Sequence, residues 1–555
     1  MESGDGTALN SQKVEDGVGV PSGGSSVPAF DVIVIGAGFA GLYALKRLRD
    51  LGYSVLVCEA GSDVGGVWYW NRYPGARCDV ESLQYSYSFS KELEQEWEWS
   101  ERYASQPEIL RYLNHVADRF ELRRDIRFQT RVESAIYDES HGGWTLSLNG
   151  NQTTKASFCV MASGGLSVPR LPDIPGIDHF AGKIYHTGQW PHEPVDFTGI
   201  RVGVIGTGSS GIQVIPKVAA QASKLVVFQR TANFSVPARN APLSPEVQRA
   251  WKAIYHEYRA RARQVGTIYE VSEKRTFDVT EEERQREYQR RWDKGGVNVI
   301  QSFRDVMVDK SANDVIADFV RARIRATVKD TSTAEALCPV GYPLGAKRIC
   351  VDTDYFETYN RPNVELVDLK KNPISRVDAN GVATTGGYHE LDALICATGY
   401  DALTGALLNI DIRGRGGMTL RQKWSQGPRN YLGLMTGGFP NMFIVTGPGS
   451  PSVLANVVVG IEHHIEWIAD CINFLRANGV RTIEATPQAE DRWVEHVNKA
   501  ANKTLFPLAN SWWLGANVPG KPRVFMPYVV KFGHYRRECQ QAADNGYEGF
   551  ALGAN

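Results

Sequence analysis

The chain has no surplus of charge of either sign: 61 Lys and Arg stand against 62 Asp and Glu, a formal net charge of -1 over 555 residues. A nucleic-acid binder or a polybasic membrane-surface protein needs an excess of positive charge, so neither a nucleic acid nor a membrane is an expected partner. Paired cysteines are also missing. Cys58, Cys78, Cys159, Cys338, Cys350, Cys396, Cys471 and Cys539 never fall in a CxxC or CxxxxC arrangement. That removes any metal-ligand spacing, so no metal is expected, and scattered thiols suit a reducing compartment, here the cytoplasm. No apolar run approaches the roughly 18–20 residues of a membrane span. Residues 1–29 have neither a charged start nor an apolar core and read as a disordered tail, not a signal peptide. With 43% hydrophobic and 22% charged residues, the rest has the composition of a globular enzyme of several domains.

What the chain does have is glycine at strand-to-helix turns. The run FDVIVIG (30–36) reads as a buried parallel strand, followed by a helix over about 39–51 and a strand SVLVCE (54–59). The same unit recurs as RVGVIG (201–206), a helix over 209–220 and KLVVFQ (224–229). A third apolar strand lies in LDALICATGY (391–400) and is expected to return to the first sheet. The fold class is therefore α/β, with two Rossmann-like dinucleotide-binding domains. Residues 241–330 are charged and short of strand signals. Ser244-Pro245 and the Thr280-x-x-Glu283 capping box start helices there, so the segment reads as a helical insertion walling a cleft. The expected FAD domain is 30–165 plus 386–545, and the NADP domain 166–240 plus 331–385.

The first unit carries Gly36, Gly38 and Gly41, with Ala40 among them, at the turn where a helix N-terminus can face a pyrophosphate. Glu59, 23 residues beyond Gly36, closes the next strand. A carboxylate there accepts both ribose hydroxyls of an unphosphorylated adenosine, as in FAD or NAD. The second unit carries Gly206-Thr207-Gly208-Ser209-Ser210-Gly211, and 24 residues beyond Gly206 the equivalent position is Arg230, followed by Thr231. The charge is reversed, which suits a 2′-phosphate and hence NADP. FAD on the first loop and NADPH on the second make a hydride-fed flavoenzyme. A disulfide reductase is excluded by the missing cysteine pair; oxygen or an outside acceptor remains.

The linker contains Phe180, Gly182, His186, Thr187, Trp190 and Pro191 in the order F-x-G-x-x-x-H-T-x-x-W-P, and the string Gly65-Gly66-Val67-Trp68 precedes Arg72-Tyr73-Pro74-Gly75 and Asp79. Over about residues 30–545 the chain resembles the flavin-dependent Baeyer–Villiger monooxygenases. The segment GPGSPSVLAN (447–456) makes it most similar to the subgroup acting on steroids, large rings and aryl or linear ketones. The resemblance implies that NADPH reduces FAD and that O2 then gives a C4a-peroxide. This attacks a ketone through a Criegee adduct to yield an ester or lactone, with NADP+ retained.

The resemblance also implies roles. Arg348 stabilises the peroxide anion and Asp79 orients it. Gly66, Val67, Trp68, Tyr69, Trp70, Asp79, Tyr85 and Val132 contact FAD. The NADP contacts are Arg77 and Cys78, the stretch from Thr207 through Ile212 to Gln213, Arg230, Thr231, Lys347 and Trp512. Ser452, Val453, Leu454 and Val457 shape the ketone pocket, and His186 is a hinge, not an acid or base. Ser163, Gly165 and Val457 depart from common family residues, which touches substrate choice. An N- or S-oxygenating flavin monooxygenase and a flavin-binding sensor are the alternatives. A monomer or weak oligomer is expected.

Overall fold

The structure, a computed structural model, describes residues 29–554. The tail expected over 1–29 lies outside that range except for Ala29, which opens the first strand. Strands β1 (Ala29–Ile35), β2 (Val55–Cys58), β3 (Ile126–Arg127), β4 (Val132–Asp138), β5 (Gly143–Leu148) and β6 (Gln152–Met161) build most of the first sheet. Strands β7 (Lys183–His186), β8 (Arg201–Ile205) and β9 (Lys224–Gln229) begin the second. Then come a two-stranded ladder of β10 (Ser235–Pro237) and β11 (Cys350–Asp352), strand β12 (Val364–Asp368), and a meander of β13 (Ile374–Asp378), β14 (Gly381–Thr384) and β15 (Gly387–Glu390). Strands β16 (Ala393–Cys396), β17 (Asp411–Arg413) and β18 (Met442–Ile444) precede a terminal pair, β19 (Val480–Ala485) with β20 (Phe550–Ala554).

The first sheet runs β17-β4-β5-β6-β1-β2-β3, with β18 also against β6. Its centre is parallel: β1 pairs with β2 and β6, and Val32, Ile33 and Val34 are fully buried, Val32 and Val34 in one apolar cluster with helix residues such as Leu42 and Ile465, Ile33 in another with Val132 and Leu146 of β4 and β5. The second sheet, β12-β9-β8-β16-β7, is parallel throughout. Each repeats the strand–turn–helix unit, with helices Phe39–Asp50 and Ser209–Ala219.

One expectation is corrected. The strand in 391–400 does not return to the first sheet; β16 lies between β8 and β7 in the second. An apolar run marks a strand buried on both faces and carries no address. In the structure Ala393–Cys396 pairs in parallel register with Val202–Ile205 of β8, and at its entry the Asp392 carboxylate accepts from the Arg201 backbone N–H at 2.8 Å and its guanidinium at 2.7 and 3.0 Å. The first sheet is completed instead by β18, parallel to β6. A domain boundary at 386 therefore cuts through the second domain, which holds β16.

The insertion is helical, with helices Pro245–Val265, Glu281–Lys294 and Lys310–Thr327. Ser244 caps the first by accepting from Val247 N–H, and Thr280 with Glu283 forms a reciprocal capping box at the second. Tyr288, Phe303, Phe319 and Val320 join the core of the second sheet, whereas Ala262 packs on Val459 and Phe532 of the first domain. The insertion thus touches both halves along the cleft.

Candidate active site

Both phosphate loops have the backbone the chemistry needs. Gly36 (φ +104°) and Gly206 (φ +107°) turn each chain from strand to helix, where a Cβ would meet Ala162 O at 2.7 Å and Ala397 O at 2.5 Å. Gly38 faces the Cα of Gly66 across a gap where a Cβ would sit 3.3 Å away, and a Cβ on Gly208 would meet nothing within 4 Å. These are open cradles for a pyrophosphate. Ala40 is half-buried on the first loop's helix. Glu59, 5% exposed, accepts from Ala37 N–H and Gly61 N–H, both at 2.7 Å, which fixes its carboxylate beside the first loop. Burial pushes its pKa up, opposed by those backbone N–H groups.

Around that loop, Trp68 donates its indole N–H to the Tyr85 hydroxyl at 3.1 Å and Trp70 stands edge-on to Tyr69 at 4.9 Å. Val67 is 36% exposed beside them. Val132 is buried in one apolar cluster with Ile35 and Cys58, the residues leading into Gly36 and Glu59.

The second loop is bound to the Arg72–Asp79 segment. Gln213 accepts from the Tyr73 hydroxyl at 2.7 Å and donates to the Arg77 carbonyl at 3.1 Å, while Arg77 pairs with Glu101. Thr187 of the linker donates to the Ser210 hydroxyl at 3.2 Å, and Thr207 donates to the Thr231 carbonyl at 3.2 Å. Ile212 is buried behind the loop. Arg230 is exposed at the end of β9. Lys347 sits 4.8 Å over the Tyr342 ring, and burial, then Arg230 and Lys370, hold its amine below the usual lysine range. Among the described residues none of these three cations has an ion-pair partner. Lys370 was not foreseen. It follows β12, whose neighbour β9 leads directly into Arg230, and only the pairing of those strands brings the two positions together.

Between the two loops lies Arg348. Its Nε and Nη2 donate to the two oxygens of Asp79 at 2.9 and 2.8 Å, and Nη1 donates to the Val453 carbonyl at 2.9 Å. Burial would lower its pKa, but Asp79 and Tyr269 hold it above the usual arginine value, so it is permanently charged. Three of its five N–H groups are engaged by these bonds, leaving two for a ligand. The buried thiol of Cys78 adjoins the pair, and burial pushes its pKa up, so it is no thiolate. Tyr269, from the insertion, also stands within electrostatic reach of the pair, its phenol pushed up to about 12 chiefly by burial. No motif marks it, and sequence reading missed it.

Val453 and Leu454 pack with Phe506, Trp512 and Leu514 in one apolar cluster. The expected pocket residues and the expected nicotinamide-side tryptophan therefore share one apolar cluster, tied to Arg348 through the Val453 carbonyl. Ser452 is buried and Val457 begins the helix Val457–Ala477. The linker residues lie apart from that centre. His186 Nδ1 accepts from Gly188 N–H at 2.9 Å, so Nε2 carries the proton and donates to the Arg170 carbonyl at 3.2 Å. Burial lowers its pKa, and the neutral ring serves as a structural tie. Phe180 packs against Gly182, Trp190 stacks on Tyr185 at 5.2 Å, and Pro191 follows half-buried.

Two dinucleotide cradles of opposite ribose-side charge, with a fixed cation between them, define a flavin- and nicotinamide-type oxidoreductase. The chain belongs to the flavin-binding monooxygenase-like family, in its Baeyer–Villiger branch. The family model of that description matches residues 29–240. A Baeyer–Villiger monooxygenase of Pseudooceanicola batsensis is 43% identical, covering 93% of this chain and 95% of the relative. A phenazine N-monooxygenase of Lysobacter antibioticus is 44% identical, covering 94% and 97%. The solved structure of an oxidized steroid monooxygenase bound to NADP is 53% identical, with a TM-score of 0.91, covering 95% of this chain and all of that one.

Proposed function

We propose that this protein is a Baeyer–Villiger monooxygenase that takes NADPH, O2 and a ketone and yields an ester or lactone. The observation that carries the reading is Arg348, held by Asp79 and Val453 with two N–H groups free between the cradles. Bound FAD supplies the redox chemistry, accepting hydride and activating oxygen. Its place is the Gly36–Gly41 loop, with Gly66, Trp68, Tyr85 and Glu59 around it. NADPH belongs on the Gly206–Gly211 loop, with Arg230 and Lys347 for its 2′-phosphate. Arg348 steadies a negative oxygen without surrendering a proton, first on the oxidant and then on the former ketone oxygen. Asp79 fixes the orientation of that guanidinium. Leu454, Trp512 and their apolar neighbours exclude water from the reacting centre and accept an apolar, fairly large ketone, aryl, linear, large-ring or steroid.

Among the described residues no helix is long and apolar enough to cross a membrane. All eight cysteines are free and buried, which supports a reducing, cytoplasmic setting. The FAD domain takes the first sheet and the NADP domain the second. Arg348→Ala is expected to bind flavin and yield no oxygenated product; product formation at the wild-type rate would overturn the assignment. A second reading, oxygenation of an aromatic ring nitrogen, is favoured by the phenazine N-monooxygenase relative, and a phenazine and a ketone tested side by side separate the two.

A further inference from the structure

A second buried guanidinium reaches the pocket loop through a shared backbone carbonyl, that of Gln84. Arg259 lies on the insertion helix Pro245–Val265 and is 2% exposed; the carboxylates of Glu462 and Glu94 act on it electrostatically, but among the described residues neither forms a direct ion pair with it. Its hydrogen bonds go to neutral oxygens. Nη1 donates to the Gln84 carbonyl at 2.8 Å, and Nη2 to the Ser86 hydroxyl and, at 3.0 Å, to the Tyr255 hydroxyl. The Tyr255 ring lies 4.9 Å beneath it. A buried charge is costly unless such contacts replace its hydration, so its placement here is specific.

The Gln84 carbonyl is shared. Asn456 donates Nδ2 to it at 2.5 Å, and the Gln84 side-chain oxygen accepts from Ile268 N–H at 3.3 Å. Asn456, 1% exposed, also caps the helix Val457–Ala477 by accepting from Val458 N–H at 3.1 Å, and its own N–H donates to the Thr267 hydroxyl at 2.8 Å. Ser452, at the other end of the loop, is held at φ +44°, a conformation that persists only where the surroundings enforce it. Segment 79–84 and loop 452–456 are thus joined twice. Arg348 links Asp79 to Val453, and Arg259 meets Asn456 at Gln84.

We infer that Arg259 is a positioning residue for the ketone pocket. Through Gln84 and Asn456 it fixes the loop Ser452–Val457, so that the helical insertion sets how tightly a carbonyl compound is held before Arg348. This rests on the ketone-oxygenation reading above. The test uses flavin-loaded enzyme carrying Arg259→Met, Arg259→Lys or Asn456→Ser, the last keeping a helix-capping oxygen while losing the amide donor. The KM and kcat for a ketone, the fraction of NADPH lost as hydrogen peroxide and the rate of flavin reduction by NADPH without ketone are measured. Arg259→Met and Asn456→Ser are expected to raise the ketone KM roughly tenfold and increase peroxide loss, with flavin reduction within about twofold of wild type. Arg259→Lys should recover part of the KM. An unchanged ketone KM in Asn456→Ser, which does not depend on burying a new apolar side chain, overturns the inference. A wild-type enzyme that oxygenates no ketone overturns the ketone reading itself, and the inference with it.

Discussion

In the proposed function Arg230 carries the choice between the two nicotinamide cofactors. It follows β9 directly, without an anionic partner among the described residues, beside Lys347 and Lys370. Arg230→Ala is expected to raise the KM for NADPH about tenfold or more, the scale of a lost charge-assisted contact. The KM for NADH should change little, and steady-state kinetics with both cofactors reads this directly; equal losses would contradict the 2′-phosphate role. Arg230 and Glu59 were legible in sequence because each sits at a fixed step after a phosphate loop, where strand and helix geometry leave no freedom. The roles of Arg348 and Asp79 were not readable from spacing, since 269 residues separate them and only the fold brings them to hydrogen-bonding distance; resemblance supplied them. Lys370, Tyr269 and Arg259 escaped because each reaches the site through strand pairing or from an insertion that carries no motif.

At the scale of elements, the Arg72–Asp79 segment is the joint between the two halves. Gly75 has φ +86° and a Cβ there would meet Gln213 O at 2.5 Å. Gly75→Ala is therefore expected to push the segment off the helix Ser209–Ala219, lowering Tm and raising the KM for NADPH together. A variant with wild-type values of both would show that the close approach is not needed. The short strand β11, two residues beyond Arg348, carries a pH dependence. Asp352 is buried, and its pKa is pushed up to about 7 by burial, against hydrogen bonds from the Ser235 hydroxyl and Tyr355 N–H. In the unfolded chain it releases its proton near pH 4. Between those values the native state binds more protons, so this contribution is complete below about pH 4 and lost as pH rises through about 7. Asp352→Asn should flatten the decline of Tm between about pH 4 and 7; an unchanged slope would assign that decline to other groups. At the insertion, Thr280→Ala should cost about 1 kcal/mol in unfolding free energy by removing the capping box.

At the scale of the whole molecule, the two strand–turn–helix units and the helical insertion could be read from periodicity and caps, because those signals are local. Which sheet receives a given apolar strand is not local. The pattern in β16 would serve either sheet, and only long-range pairing with β8 and β7 puts it in the second. The two halves, joined at Gln213 and spanned by the insertion, place Arg348 at their seam, where the assembled cleft would act on a substrate. Purified protein is incubated with NADPH, O2 and, in separate reactions, aryl, large-ring, steroid and linear ketones and a phenazine, with products read by mass spectrometry. At least one ketone is expected to gain one oxygen atom as an ester or lactone. Every ketone untouched, with NADPH consumed to hydrogen peroxide or oxygen delivered only to the ring nitrogen, would overturn the ketone reading.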